Sequence, residues 1–243
     1  MLMKTQVRDP SMRNISCSKC HTRKICLPMD MTEKDINDFE SIVLLRKAVK
    51  KGNYLISAGM GFNAIFIIRT GFFKTSIISP SGQEHLLGFR MTGDSLGMDG
   101  IPSRQHLSDT AALEDSNVCV IPYAEIENMS RISPIFLNHI FQLLSRELVR
   151  ENFNLLMLQM SAEERLAGFL QNLTKNLQIR GFSSSEVLLR MTREEIGQFL
   201  GLKLETISRM FAKLSKSGVV SINRRHLHIL NSAALEKITG IPN

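Results

Sequence analysis

The stretch MTREEIGQFLGLKLETISRMFAKL, residues 191–214, has the pattern of two short helices joined by a glycine turn. Thr192 is a predicted N-cap, and the acidic residues that follow it suit a helix N-terminus. Gly201 falls where a glycine commonly ends a helix, so we predict that a second helix covers residues 204–216. The apolar spacing would pack both helices against a third through Ile196, Leu200, Ile207, Phe211 and Leu214, with Leu202 filling the turn.

The second helix leaves a polar face that points away from this core. Glu205 and Arg209 are four residues apart and therefore share that face. In a DNA major groove an arginine can pair with guanine, and a glutamate can accept from the amino group of cytosine. A surface ion pair between the two is the alternative, but the surrounding helix–glycine–helix pattern favours DNA recognition. The candidate DNA-contacting residues of this region are Lys203, Glu205, Thr206, Ser208, Arg209 and Lys213.

The β-rich end after the second helix, VVSINRRHLHIL at residues 219–230, predicts a hairpin beside the recognition helix. Arg224 and Arg225 would lie at its tip next to Asn223, where a basic turn suits contact with phosphates. A solvated turn is the alternative. Residues 161–243 carry twelve Lys/Arg and seven Asp/Glu in a chain of net charge +7. This basic excess suits a polyanionic partner, and we expect double-stranded DNA.

The rest of the chain predicts an α+β protein with the helix-turn-helix near its C-terminal end. Residues 43–122 contain short β-rich runs between regularly spaced glycines, which is typical of a β-sandwich or barrel. A short helix capped by Thr32 should precede these strands. After them the apolar period becomes helical, and Pro134 fits the first turn of a long helix that continues to about Met160. Ser161 is the predicted N-cap of the next helix.

The composition is that of an ordinary globular protein, with 43% hydrophobic and 22% charged residues among 243. No apolar run approaches the roughly 20 residues that span a bilayer. The N-terminal sequence MLMKTQVRDPSMR lacks the apolar region of a secretory signal. We therefore expect a cytoplasmic protein with no membrane partner. The sequence carries no nucleophile–base set, P-loop or dinucleotide motif, so we expect no enzyme activity.

Three of the four cysteines lie close together near the N-terminus. Cys17, Cys20 and Cys26 are separated by two and five residues, and Cys119 follows 93 positions later in a β-rich run. Cytoplasmic thiols stay reduced, and four of them can hold tetrahedral zinc or an iron–sulfur cluster. The spacing leaves both open, together with a redox dithiol at the first pair. A cysteine in an apolar strand is otherwise a small buried hydrophobe.

The long helix carries an apolar seam at alternating spacings of four and three, the pattern of a two-helix coiled coil. Glu151 interrupts the seam, and in a parallel homodimer two such carboxylates would repel each other and weaken the pair. That arrangement suits a switch between monomer and dimer. A buried monomeric helix, with Arg150 neutralising the acid, is the alternative. The seam consists of Leu137, Phe141, Leu144, Leu148, Glu151, Leu155 and Leu158.

These features together resemble the oxygen-sensing FNR proteins, the fumarate and nitrate reduction regulators of the cyclic-AMP receptor superfamily. The resemblance rests on the four cysteine positions and on the segment LGLKLETISRM, and it covers the chain from about Cys17 to Leu235. It implies an N-terminal cysteine-rich cluster-binding segment (1–31), a cyclic-nucleotide-binding-like β-roll domain (32–132), a dimerisation helix (133–160) and a C-terminal winged helix-turn-helix domain (161–243).

The resemblance also implies a mechanism. A [4Fe–4S] cluster on the four cysteines would sustain a homodimer under anaerobic conditions, and oxygen would dissociate the dimer by degrading the cluster. Glu205, Ser208 and Arg209 would read a palindromic operator, while Glu151 would oppose association. Loops of the β domain, here around residues 79–84 and 103–108, would contact RNA polymerase.

Cyclic-nucleotide binding is not expected, although the superfamily includes cyclic-nucleotide receptors. Those receptors hold the phosphate with a Gly-Glu motif and a following arginine. This chain has Asp94 and Ser95 near the first position and Asp109 before Thr110 at the second, where an acid would repel a phosphate. Two other functions remain open. One is a zinc-stabilised regulator of the same superfamily that senses another signal, and the other is an iron–sulfur electron-transfer protein.

Overall fold

The structure is a computed structural model that describes residues 16–240. Residues 1–15, about half of the predicted cysteine-rich segment, and residues 241–243 lie outside the described part. The strands are β1 (Leu45–Val49), β2 (Tyr54–Ile56), β3 (Ala64–Thr70), β4 (Phe72–Ile78), β5 (Glu84–Met91), β6 (Ser95–Leu96), β7 (Asp109–Ala112), β8 (Ser116–Pro122), β9 (Glu186–Leu188), β10 (Val220–Asn223) and β11 (His226–Ile229). The helices are α1 (Arg23–Cys26), α2 (Glu33–Ile42), α3 (Tyr123–Ile132), α4 (Pro134–Met157), α5 (Ala162–Ile179), α6 (Arg193–Leu200), α7 (Leu204–Lys216) and α8 (Ser232–Thr239).

The first eight strands form the predicted β-sandwich. One sheet has the strand order β1-β8-β3-β6 and the other β2-β7-β4-β5, with antiparallel pairing throughout. Successive side chains on a strand alternate between its two faces. The inward-facing set, which includes Phe66, Ile68, Phe73 and Val118, is buried between the sheets. This confirms the α+β class with an N-terminal β domain.

The outer face of the first sheet is covered as well. Ile67 of β3 and Ile121 of β8 lie on that face, in a second buried cluster with Phe39 of α2 and Phe136 of α4. Cys119, two residues before Ile121, points to the same side and packs against this cluster. Helices and the N-terminal cysteines therefore meet on one side of the sandwich.

Local capping delimits the helices as the sequence predicts. Pro134 opens α4, which ends at Met157 and not at about Met160, because the next three residues form the turn that leads into α5. Capping boxes at predicted N-caps are formed by Thr32 with Asp35, Ser161 with Glu164, and Thr192 with Glu195.

The C-terminal helices and strands enclose a core of their own. Leu166 and Leu170 of α5 are fully buried there, together with Met191 and side chains of α6 and α7. The hairpin β10–β11 forms the predicted wing, and β9 adds a third strand that was not predicted. Within residues 16–240, no helix is long and apolar enough to cross a membrane.

Candidate cluster site and DNA-binding surface

The four cysteines line one pocket on the outer side of the first sheet. Cys17 opens a short 3₁₀ turn, Cys20 follows that turn, Cys26 ends α1, and Cys119 lies in β8. All four are free thiols and half-buried. The fold thus brings the distant strand cysteine to the three N-terminal ones.

Polar contacts fix the loop that carries the first three cysteines. Glu40 of α2 accepts hydrogen bonds at 2.8 Å from the Cys17 amide and from the Ser16 hydroxyl. Thr22 is buried, and its hydroxyl lies 3.1 Å from the sulfur of Cys20. These contacts tie the start of the loop to α2 and brace the loop internally.

The end of the loop contacts two other parts of the chain. The carbonyl oxygen of Cys26 lies 2.9 Å from Nε2 of His139 on α4. Burial lowers the pKa of His139, so the neutral imidazole donates this hydrogen bond. Ile25 packs on the turn at Gly93, where φ is +89° and an added Cβ would lie only 2.6 Å from Cγ2 of Ile25. The cysteine loop is therefore linked to α4 and to the turn that follows β5.

The thiols affect one another's ionisation. Burial raises the pKa of Cys17 to about 12, and an acidic neighbour and the other thiols add to the effect. Burial first, and then the neighbouring cysteines, also raise the pKa of Cys26, and burial raises that of Cys119. For Cys20 the effect of burial is outweighed by hydrogen bonds from polar neighbours, and its pKa is lowered. A cationic metal centre would stabilise neighbouring thiolates that otherwise repel one another.

The two metal groups considered from the sequence place different demands on the thiols. Among residues 16–240, no three Cys, His, Asp or Glu side chains are placed to hold one metal ion. Zinc needs its ligands around a single centre, with Zn–S distances of about 2.3 Å. A [4Fe–4S] cluster has one iron for each cysteine, so the sulfurs need not converge on one atom. The four thiols line a shared pocket, an arrangement that could hold such a cluster.

A buried ionic network connects the β domain with the helices. Asp94, in the turn after β5, accepts from Arg150 of α4 at 3.0 Å and from Arg180 of α5 at 2.7 Å. Arg90 of β5 adds a contact of 3.1 Å with Glu147 of α4. Asp94 lies near the position where cyclic-nucleotide receptors have their glutamate, and here it joins three parts of the chain.

The predicted seam of α4 lies on the surface of the chain. Its six apolar residues are between 37% and 68% exposed. Glu151 is also exposed, and its carboxylate is 3.6 Å from the guanidinium of Arg90. Arg150, the partner considered from the sequence, is instead bound to Asp94. Leu158 is the C-cap of α4, so five of the six apolar residues lie within the 24-residue helix itself. An exposed apolar face of this length, interrupted only at Glu151, is typical of an interaction surface.

Helices α6 and α7 form the predicted helix-turn-helix. Gly201 has a φ of 64° and ends α6 in the left-handed conformation. Glu205 and Arg209 are exposed on α7, with no ion pair between them among the described residues. Both side chains are therefore accessible for contact with DNA. The five predicted core residues, each at most 1% exposed, are Ile196, Leu200, Ile207, Phe211 and Leu214.

The other candidates on α7 differ in their surroundings. Lys203 is exposed at the N-cap, and Thr206 and Ser208 are half-buried beside the recognition pair. Lys213 is exposed, but its ammonium forms an ion pair with Glu163 of α5. A contact between Lys213 and DNA would therefore compete with this ion pair. The sequence did not indicate the ion pair.

Three exposed turns correspond to the remaining predicted contact surfaces. Arg224 and Arg225 form the wing turn between β10 and β11, and Arg224 has a positive φ of 56°. The turn at residues 79–84 is largely exposed at the end of the β4–β5 hairpin. In the stretch 103–108, His106 and Ser108 are buried, so only its other residues are accessible.

Two domain families match this chain, the cyclic nucleotide-binding domain over residues 46–132 and the Crp-like helix-turn-helix domain over residues 164–238. The chain is 37% identical to the anaerobic regulatory protein of Pasteurella multocida over 227 residues, which cover 93% of this chain and 83% of that relative. The chain belongs to the Crp/FNR family of transcription regulators. The fumarate and nitrate reduction regulatory protein of Vibrio cholerae is also 37% identical, over 93% of this chain and 91% of that relative. The predicted resemblance to the FNR regulators is thereby confirmed.

Solved structures show the same fold. FixK2 from Bradyrhizobium japonicum superposes with a TM-score of 0.74 at 22% identity, covering 82% of this chain and 98% of that one. A transcriptional regulator of the CRP family from Thermus thermophilus gives a TM-score of 0.65 at 18% identity, covering 80% of this chain and 97% of that one. The winged helix-turn-helix is accordingly the DNA-binding part of this Crp/FNR regulator.

Proposed function

We propose that this Crp/FNR regulator responds to oxygen through a [4Fe–4S] cluster held by Cys17, Cys20, Cys26 and Cys119. The observation that carries the proposal is that these four thiols, distant in sequence, line a single pocket. Relatives named for anaerobic regulation and for fumarate and nitrate reduction support an oxygen-linked role. When bound, the cluster supplies an oxygen-sensitive link between the N-terminal loop and strand β8.

The contacts of the loop offer a route from this link to α4. Cys26 is hydrogen-bonded to His139 of α4, and its neighbour Ile25 packs on Gly93. The next residue, Asp94, binds arginines of α4 and α5. Release of the loop would therefore remove one direct and one indirect support from α4.

We infer that the exposed seam of α4 pairs with a second copy of the chain while the loop is held. Apolar burial at six positions favours this homodimer. Glu151 opposes it, because Arg90 contacts the carboxylate only at 3.6 Å and leaves it exposed at the predicted interface. Dimerisation would then depend on the state of the cysteine pocket.

The dimer would present two α7 helices to a palindromic operator, with half-sites about one helical turn of DNA apart. Glu205, Ser208 and Arg209 would read bases, while the wing arginines contact phosphates. The accessible turns at residues 79–84 and within 103–108 are the proposed contacts with RNA polymerase. We propose the domain limits 1–31, 32–132, 133–160 and 161–243 for the cluster segment, β-roll, dimerisation helix and DNA-binding domain.

Anaerobic purification followed by absorption and Mössbauer spectroscopy tests the proposed cofactor. We expect iron and sulfide in the ratio of one [4Fe–4S] cluster per chain, with visible absorption that disappears in air. Purified protein that contains zinc, takes up no iron and still binds operator DNA would support the zinc-stabilised alternative and contradict the proposal.

A further inference from the structure

Two arginines lie beside Cys119 on the sheet that forms the floor of the thiol pocket. Arg46 of β1 is paired directly with Cys119 of β8, so both side chains leave the sheet on the same side. On the other flank of β8, Cys119 is paired with Ile67 of β3, and Arg69 follows two residues later. The sheet thus places one guanidinium on each side of the strand cysteine.

A β-bulge sets the position of Arg69. The register of β3 against β8 shifts between Ile68 and Thr70, which leaves Arg69 as the extra residue. A bulge bends its strand and redirects the side chain at that point. Arg69 lines the pocket together with Arg46 and the four cysteines.

The two guanidinium groups lie next to two of the cysteines. Arg69 lies beside Cys20 and Arg46 beside Cys119, and all four residues line the same pocket. Nε of Arg69 is buried and has no hydrogen-bond partner within residues 16–240, where Arg69 also forms no ion pair with a carboxylate. Arg69 as a whole is half-buried, and a cation held partly out of water without an anionic partner is unfavourable. The charge of Arg69 therefore points to an anion in this pocket.

We propose that Arg46 and Arg69 compensate the negative charge of the bound cluster and donate hydrogen bonds to two of its cysteine sulfurs. Four thiolates outweigh the positive charge of the iron–sulfur core, so the loaded pocket carries net negative charge. Hydrogen bonds to sulfur and nearby charge tune such clusters, and arginine offers several donors in a fixed plane. This inference rests on the proposed function and extends it to two residues that bind no iron.

Neutral variants with a matched control test the inference. Arg46→Gln and Arg69→Gln each remove one charge and keep a polar side chain. Lys47→Gln is the control, because Lys47 follows Arg46 on β1, points to the opposite face and is exposed. Each full-length protein is loaded with iron and sulfide under anoxia. Iron release to a ferrous chelator and the midpoint potential are then measured, and the melting temperature of the cluster-free protein reports on folding.

We expect both glutamine variants to release iron roughly tenfold faster than the parent. Loss of a residue that supports the metal ligands typically lowers metal affinity by about 10–100-fold, and the expected change is at the lower end of this range. Their midpoint potentials should be lower, since reduction adds negative charge to a pocket that has lost a positive one. Lys47→Gln should match the parent. Arg69→Lys, which keeps the charge, should release iron more slowly than Arg69→Gln.

The inference is overturned if both glutamine variants keep the iron-release rate and the midpoint potential of the parent. It is also overturned if Lys47→Gln changes these two quantities as much as they do. If Arg69→Gln does not fold, Arg46→Gln and Arg69→Lys decide the question by the same two measurements. A parent protein that takes up no iron would contradict the proposed function itself, and this inference with it.

Discussion

His139 of α4 donates a hydrogen bond from Nε2 to the carbonyl oxygen of Cys26 at 2.9 Å, and the imidazole is 3% exposed. The bond joins a proposed cluster ligand to the helix that carries the apolar seam. Because the contact is buried, movement of the cysteine loop leaves the carbonyl and the imidazole without their partner. The two sites are therefore physically linked within one chain.

Replacing this histidine tests the link. His139→Leu removes the donor and leaves the Cys26 carbonyl unpaired, which should lower the free energy of unfolding by about 1–3 kcal/mol. Iron content should be retained, because all four sulfurs remain, but the anaerobic dimer should be weaker. Urea denaturation and sedimentation measure the two effects. His85→Leu, at an exposed position on β5, is the control. If His139→Leu dimerises as the parent does, this contact does not couple the cysteine loop to dimerisation.

The strand cysteine should matter as much as the loop cysteines. Cys119→Ala is expected to abolish anaerobic cluster loading as fully as Cys20→Ala, because each removes one of four ligands. Iron content and visible absorption provide the measurement. Val120→Ala, at the next position on β8, controls for general damage to the strand. If Cys119→Ala takes up a normal cluster, Cys119 is a core residue and the ligand set is wrong.

The two kinds of basic residue at the DNA surface should behave differently. Arg209→Ala is expected to weaken operator binding by about 1–3 kcal/mol and to relax the preference at one base pair per half-site. Arg224→Ala should weaken binding to all sequences alike and reduce its salt dependence. Fluorescence anisotropy on the operator and on single-base variants separates these effects. Unchanged affinity and specificity in Arg209→Ala would exclude this residue from base recognition.

Glu151 should restrain dimerisation in air. Glu151→Ala removes the acid from the seam and raises helix propensity, while Arg90 keeps its contact of 3.1 Å with Glu147. We expect the cluster-free variant to dimerise and bind operator DNA in air. Asn152→Ala, an exposed neighbour, raises propensity without changing charge and serves as the control. If Glu151→Ala sediments as the same monomer as the parent, another residue restrains association and the seam must be reassigned.

Features that depend on neighbouring residues could be predicted from the sequence. The capping boxes, the left-handed Gly201 and the limits of α7 all depend on a few adjacent positions, and the structure contains each of them. The wing turn at Arg224 likewise depends on adjacent residues and was predicted. The β-sandwich was predictable because glycine turns recur between short apolar runs.

Contacts between distant segments could not be predicted in the same way. Arg46 meets Cys119 through the register of two strands, which hydrophobic alternation alone does not specify. Glu151 contacts Arg90 because α4 packs beside β5, whereas the sequence suggested only the adjacent Arg150, and only for the alternative of a monomeric helix. Lys213 was predicted from its helix face alone, and its ion pair depends on the packing of α5. A single amino-acid sequence carries no signal for such pairs.

Sedimentation velocity of a single anaerobic sample, before and after a measured addition of oxygen, tests most directly whether the cysteine pocket controls association. The visible absorption of the cluster is recorded in the same cell. We predict a dimer that dissociates to monomer as the absorption disappears, with a parallel loss of operator affinity. A dimer fraction that stays constant while the cluster absorption is lost would contradict this prediction.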